Sequence, residues 1–552
     1  AMRGNATGWL DGPVATSWVL ADHQGKTFDL GSIRPICEIT RWHGIGRTFV
    51  RFVAEIADTE KQADVPYTVT VQPSGETGSV WHQAGTRWTR TFWIGGAPSR
   101  VDVDHGLAYL ASTGAVPNYD PSKAVPETVV AGAYAQWLAA NRGWSDRQWD
   151  ATGGRGNLNP VMGAAGGRAE LGPHPTWVVR WLYTGDSRMQ EQSLGNADLG
   201  ARWPVHYREG NATKAAYGHP IRITDRPTIA IVSGLGYGYT AAGDRITPLS
   251  PLGLSEWRPD ISHQPDLYSV AYLLTGEHWY LEEATFWASW SAAYPNGAAR
   301  TSWCGRGPTG AEGGIPGMQC LSMRGQAWAI RSRAQVAWLL PDDSPAKSYF
   351  TKILTGALCI WEGGRRITGT ACEGTPAWAW GRDVDQPAGA HPLHAWERGN
   401  AAFTGAPVDS TLAGAGLSTW EQHFVMYGLG RVRELGFPAG PLATWLGAHI
   451  ARQVIGAGTN PYLVATYRLP LSDKATAAPF TDWAAVVSAY QTGFDFAANF
   501  KAQLLNTDHG YGLVAIPAVA ASGNLIAWEW MRANALTAPG LTANPKWAIL
   551  PR

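Results

Sequence analysis

One short phrase recurs through the middle of this chain: WLYTGD at 181–186, YLLTGE at 272–277 and WLLPDD at 338–343. Each closes a run of apolar residues at helical spacing. Each opens a second run: RMQEQSLGNADLGARW, WYLEEATFWASWSAAY and SPAKSYFTKILTGALCIW in turn. Thr-Gly or Pro-Asp breaks the first helix. The acidic residue that follows suits a helix start, where exposed N–H groups favour negative charge. The pattern predicts helix, tight turn, helix, repeated as an array of αα hairpins. Curved arrays of this kind enclose a concave surface, so the repeat bears on function as well as on fold.

The same reading places hairpins at about 174–201, 263–294, 324–361 and 418–455, the last turning through GFPAG, with further helices near 482–503 and 523–536. The first part of the chain differs. SWVLAD, EITRWHG, TFVRFVAEIAD, YTVTVQP, RWTRTFWIGG and SRVDVDHGLAYL alternate apolar with polar residues between Gly, Pro and Asp clusters, as in a sandwich. The expected fold is therefore multidomain α and β. A β-sandwich spans 1–115, a Pro-rich linker spans 116–127, and an (α/α)n toroid of helical hairpins spans 128–552 and carries the catalysis. The Gly-rich stretch at 145–175 is too long for an idle loop, and 202–262 and 362–417 are expected to form the rim of the cleft.

A chain of 552 residues needs two or three such units. Lysine plus arginine is 44 and aspartate plus glutamate is 44, so no basic excess exists to neutralise phosphates, and a nucleic-acid partner is not expected. No run approaches the ~20 apolar residues of a membrane span. Ala1-Met2 reads as a cloning scar after removal of a leader or an upstream domain, and the expected location is secreted, periplasmic or virion-associated. There are 29 tryptophans against 13 phenylalanines. Indole faces stack on sugar rings and indole N–H groups serve hydroxyls, so a polysaccharide is the expected partner. Trp42, Trp81, Trp144, Trp303, Trp378, Trp380 and Trp396, near glycines and turns, are candidates for that stacking. The spacings Cys304–Cys320 and Cys359–Cys372 suit local disulfides around Gly-rich loops, leaving Cys37 over; five unpaired buried thiols are the alternative.

Polar clusters fall beside the hairpin helices. The first holds Arg168, Glu170 and His174, the second Trp203, His206, Tyr207, Arg208 and Glu209. The third holds His263, Gln264, Asp266 and Tyr268, and the fourth Arg324, Gln326 and Trp328. Each has a structural reading too: His206–Tyr207 as a satisfied buried pair, Ser262 as a helix cap beside His263 and Gln264, Arg168–Glu170 as an ion pair, and Arg324 on helix carbonyls. Eliminative cleavage of a uronic-acid polymer needs a cation or amide on the carboxylate, a base for the neighbouring proton and an acid for the leaving oxygen. His, Tyr, Arg and Gln suit those roles. Tyr207 or His206 is expected as base and acid. His263 and Gln264, with Arg168 or Arg324, are expected at the carboxylate. Trp203 and Trp328 are the expected stacking platforms, and Arg208, Tyr268 and His174 the further substrate contacts. Hydrolysis instead needs two carboxylates across the cleft. Glu170 with Asp266 or Glu421 is the pair expected for an inverting enzyme, with Asp225 and Glu256 also available. His391 and His394 have no metal-binding motif around them, so neither a metal nor a cofactor is called for.

The repeated hairpins, the tryptophan content and the HYR (206–208) and HQP (263–265) clusters together resemble polysaccharide-degrading enzymes that couple a β-sandwich to an α/α toroid. In outline the chain is similar to toroidal polysaccharide lyases, including alginate, heparin and exo-acting rhamnogalacturonan types. The resemblance implies β-elimination of an acidic polysaccharide in the toroid cleft. The leading β region is an order also seen in toroidal glycoside hydrolases, which implies hydrolysis as the alternative. A noncatalytic glycan-binding or phage or cell-surface protein is the third expectation.

Overall fold

The computed structural model describes, apart from breaks of one to three residues, residues 6–21, 33–71, 79–95, 101–140, 155–160, 168–232, 236–246, 257–294, 323–361, 366–373, 416–490 and 512–552. They form a mixed α and β protein. At the N-terminus β1 (Ala6–Asp11), β2 (Ala15–Ala21), β3 (Arg34–Trp42), β4 (Arg47–Ile56) and β7 (Thr89–Gly95) make one antiparallel sheet in the order β1-β2-β3-β4-β7. β5 (Val65–Val71) and β6 (Ser79–Gly85) form a separate hairpin, and Tyr67 of β5 meets Thr91 of β7.

Alternation predicts these strands, but the inward positions are not the apolar ones alone. The register sets Glu38 opposite Arg51, Val53 opposite Phe92 and Glu55 opposite Arg90. All six side chains are buried on one face with Val19, Ile36 and Phe49. That face is covered by helices whose acidic residues answer its arginines, so charge points into the core here and not toward water.

The helical part is a succession of hairpins: α3 (Thr176–Thr184) with α4 (Ser187–Leu199), α5 (Ser269–Thr275) with α6 (His278–Ala293), and α7 (Met323–Leu339) with α8 (Pro345–Trp361). After them come α9 (Thr419–Glu434) with α10 (Gly440–Ile455), α11 (Trp483–Tyr490), and α12 (Ala515–Ser522) with α13 (Leu525–Asn534). α9 lies close against two neighbours. A Cβ at Gly428 would fall 3.0 Å from the Ala327 carbonyl, and one at Gly430 would fall 2.8 Å from the Ala521 Cβ, so glycine permits the approach.

The recurring phrase has a specific job. Thr184 Oγ1 donates to the Arg180 carbonyl and accepts from the Asp186 N–H; Thr275 does the same with Ala271 and Glu277. The glycine between takes the left-handed conformation, at φ 63° and 68°. Ser522-Gly523-Asn524 repeats the device, with Gly523 at φ 72°, and extends the phrase to a hairpin that residue identity alone conceals. The capping expectation holds at Asp186, which accepts from Arg188 N–H. It fails at Glu277, whose carboxylate turns to Arg51 instead. In the third phrase Ser344, not Asp343, accepts from a helix-start N–H, that of Ala346, because Pro345 sets the helix start two residues after the acids.

Two expectations are corrected. The last β-like segment leaves the extended state at Gly106 (φ 55°) and becomes α1 (Leu107–Ser112), because LAYLAS lacks a period of two and is rich in helix formers. The Pro-rich stretch at 116–127 is no loose tether. Val116 and Tyr119 are buried, Asp120 N–H bonds to the Ala548 carbonyl, and Leu550 N–H bonds to the Asn118 carbonyl. It is a strap tied to the C-terminal tail, and α2 (Glu127–Ala140) follows directly. No helix among the described residues is long and apolar enough to cross a membrane.

Candidate functional site

The residues expected to carry chemistry fall into three places. His206, Tyr207 and Arg208 lie under the N-terminal sheet. Trp88 there holds a left-handed backbone (φ 66°), rare for a bulky residue. Tyr207 stacks on its ring at 4.0 Å, and His206 Nδ1 contacts its carbonyl at 2.9 Å. The other nitrogen of His206 meets Glu283 Oε2 at 2.8 Å. Arg208 grips both oxygens of Glu55 at 2.6 Å and reaches Glu282 at 2.8 Å, while Arg90 pairs with Glu55, Glu282 and Glu283. Arg51 completes the layer on Asp198 and Glu277. Burial alone would raise Glu55, but Arg208, Arg90 and Arg34 hold it well below the usual carboxylate range. All of these side chains are spent on each other, so Tyr207 and His206 are not free to act as base and acid. Trp203 is likewise core, edge-on to Trp257 and Trp287, and offers no platform to a sugar.

A second group is buried between the hairpins. His174 Nδ1 meets the Tyr119 hydroxyl at 2.8 Å, and its Nε2 lies 3.4 Å from Asp266. Burial pushes His174 down to about 4, so the ring is neutral near neutrality. Asp266 also accepts from Ser269 at 2.6 Å and from Gln335 at 2.7 Å. Gln264 accepts from Ser332, and its backbone carbonyl from Arg331. Tyr268 is buried, and Trp328 packs edge-on to Phe424 with Arg331 over its ring. His174, Asp266, Tyr268 and Trp328 thus tie hairpins together rather than face a cleft.

The third group is different. Residues Arg168, Glu170, Asp260, His263, Arg324 and Glu421 converge where three helical segments begin: the single turn Ile261–His263, α7 and α9. α7 approaches the turn closely, since a Cβ at Gly325 would lie 2.9 Å from Ile261 Cγ2. That brings Arg324 in, with its guanidinium 5.1 Å from the Trp420 ring centre. Asp260 caps the turn through Ser262 N–H at 2.7 Å and takes His263 Nδ1 at 2.9 Å on the same oxygen. Burial would raise Asp260, but its bonds from His263 and Ser262, and the charge of Arg324, keep it below the usual carboxylate range. It is therefore an acceptor, so His263 Nδ1 carries the proton and Nε2 is left with its lone pair. Nε2 is buried and meets no hydrogen-bond partner.

The electrostatics follow. Burial first, then Arg324 and Arg168, hold His263 below the ordinary histidine value against the pull of Asp260. Burial raises Glu421, which Arg324 only partly offsets, and raises Glu170 despite Arg168 at 3.3 Å. Arg324 and Glu421 make no hydrogen bond or ion pair with any described residue. The group thus holds a neutral base, two cations and two carboxyls biased toward their protonated form. Sequence reasoning reached Arg168, Glu170, His263 and Arg324, and weighed Glu421 for hydrolysis. It missed Asp260 and Trp420. The signal for Asp260 was its place three residues before His263, where one carboxylate serves both cap and ring.

Among the remaining candidates, Asp225 is spent on the Ala216 N–H, and Cys37 is a free half-buried thiol pushed up to about 11 by burial and Glu38. Cys304, Cys320, Glu256, His391, His394, Trp144, Trp303, Trp378, Trp380 and Trp396, and the side chains of Trp81, Cys359 and Cys372, lie outside the described residues. Compared with known proteins, the chain matches no family model, no curated protein and no solved structure.

Proposed function

We propose that this protein is a lyase that cleaves a uronic-acid-containing polysaccharide by β-elimination, working from an N-terminal β-sandwich and an α/α toroid of hairpins. The observation that carries the reading is His263, fixed by Asp260 through Nδ1, with a bare Nε2 beside two arginines. Arg324, with Arg168, neutralises the substrate carboxylate and so acidifies the neighbouring C–H. His263 Nε2 removes that proton, and the Asp260 carboxylate stabilises the imidazolium that forms. The electron pair forms the new double bond as the glycosidic C–O bond breaks. The Glu421 carboxyl, raised by burial, gives its proton to the departing oxygen. The test is digestion of a panel of acidic and neutral polysaccharides, read by the ultraviolet absorbance of unsaturated ends together with reducing ends. Both signals together support elimination. Reducing ends alone mean hydrolysis by Glu170 and Glu421, and glycan retention with neither signal means a binding protein.

A further inference from the structure

Arg324 is a half-buried cation whose guanidinium sits over the Trp420 ring, 5.1 Å from the centre, and makes no hydrogen bond or ion pair with a described residue. Its Nε is closed off from solvent, while its two unbonded terminal nitrogens are not. Glu421 and Asp260 attract it through space and Arg168 repels it, and neither acid bonds it. Trp420, by contrast, is fixed. It is 2 % exposed and lies edge-on to Phe424, which is edge-on in turn to Trp328. Thr419, one residue before it, donates to the Leu463 carbonyl at 3.2 Å and pins the start of α9. Arg331, further along α7, is the contrasting case. It too lies over an indole, 4.6 Å from the Trp328 ring centre, but its terminal nitrogens donate to the Gly172 and Gln264 carbonyls. A ring attracts a guanidinium by its charge and takes none of its N–H groups, whereas a carbonyl or carboxylate takes the donors themselves. Arg324 is thus held with its terminal fork open, and such a fork grips a carboxylate in two parallel bonds.

We infer that Trp420 is a positioning residue: its buried ring holds the Arg324 guanidinium in place, so that the terminal N–H fork receives a planar carboxylate of the ligand in two parallel bonds. That the carboxylate belongs to a uronate rests on the lyase reading, whereas the role of the ring rests on how Arg324 is held.

The experiment is calorimetric titration of the full chain with short oligomers of glucuronate, galacturonate and mannuronate. It is run in a His263→Gln parent, where no oligomer is turned over, with thermal midpoints recorded throughout. At least one oligomer binds the parent. Arg324→Met weakens it about ten-fold or more, and Arg324→Lys, which keeps the charge without the fork, recovers little of that loss. Trp420→Leu weakens it about ten-fold, and Trp420→Phe, which keeps a poorer aromatic face, about three-fold. In the Arg324→Met background neither Trp420 substitution weakens binding further, although both still lower the thermal midpoint, so the two residues act as one unit. Where Trp420→Leu does not fold, Trp420→Phe with and without Arg324 gives the same answer. This pattern of binding from a chain that forms no unsaturated ends with His263 intact counts against the lyase reading alone. Full recovery by Arg324→Lys overturns the two-bond fork. No binding by any oligomer, or an effect of Trp420 that persists without Arg324, overturns the positioning role and leaves Trp420 as core.

Discussion

The sheet–helix interface and the helix-start group use the same three residue types to opposite ends. Under the sheet, Arg51, Arg90 and Arg208 each hold two or more carboxylates, and His206 is held at both nitrogens. At the helix starts, Arg324 and Glu421 make no hydrogen bond or ion pair with a described residue, and His263 is held at one nitrogen only. Buried charge that is fully paired is architecture. Removing one member strands the others, which is where its cost lies. Charge left unpaired at a partly open site keeps its capacity for a ligand.

The largest effect expected is on the interface. Arg90→Met takes one partner from each of Glu55, Glu282 and Glu283 and costs about 3–5 kcal/mol of folding stability in urea titration. A cost under about 1 kcal/mol would break the contrast. Arg324→Met reverses the pattern. Its urea midpoint stays at the wild-type value, while turnover of a uronate polymer falls by about 10²-fold or more, as when a charge-stabilising donor is lost. A stability loss with unchanged turnover would move Arg324 to the architectural side.

pH sharpens the same division. His174 and His423 are buried neutral, and burial lowers both to about 4. Their stabilisation is present above the unfolded value of about 6.5 and is lost as pH falls toward 4. Glu55 is depressed by its arginines, so its contribution is lost only as pH falls from about 4.3 toward its lower folded value. Stability measured against pH therefore declines in two stages on the acid side, core histidines first and interface second. Turnover peaks on the acid side of neutrality, since His263 is lowered and Glu421 raised. A flat stability profile between pH 7 and 4 would contradict the first stage.

The smallest effect separates two copies of the repeated turn. Gly185→Ala and Gly276→Ala each cost about 1 kcal/mol for the left-handed backbone. Gly276→Ala costs more, because its Cβ would lie 2.8 Å from Leu10 Cδ1, while nothing lies within 4 Å of Gly185. Thermal melts of the pair read the difference.

The hairpins were legible because their signals are local: a helical period, then hydroxyl, glycine and cap. The first strands were legible from alternation, but their inward charge was not. Arg51 and Glu55 look like a solvated face until Glu277, Asp198 and Arg208 arrive from far along the chain. The 116–127 strap misled for the same reason, since its partners Ala548 and Leu550 are at the other end. In the site, HYR and HQP read alike as clusters. Only the fold shows that His206 meets Glu283 while His263 Nε2 meets nothing.

One measurement bears on the central claim most directly: formation of unsaturated ends from a uronate polysaccharide by the wild type and by His263→Gln, with thermal midpoints recorded for both. The account predicts product from the wild type, a fall of about 10²-fold or more in the variant and matching midpoints. Undiminished product from His263→Gln would contradict it.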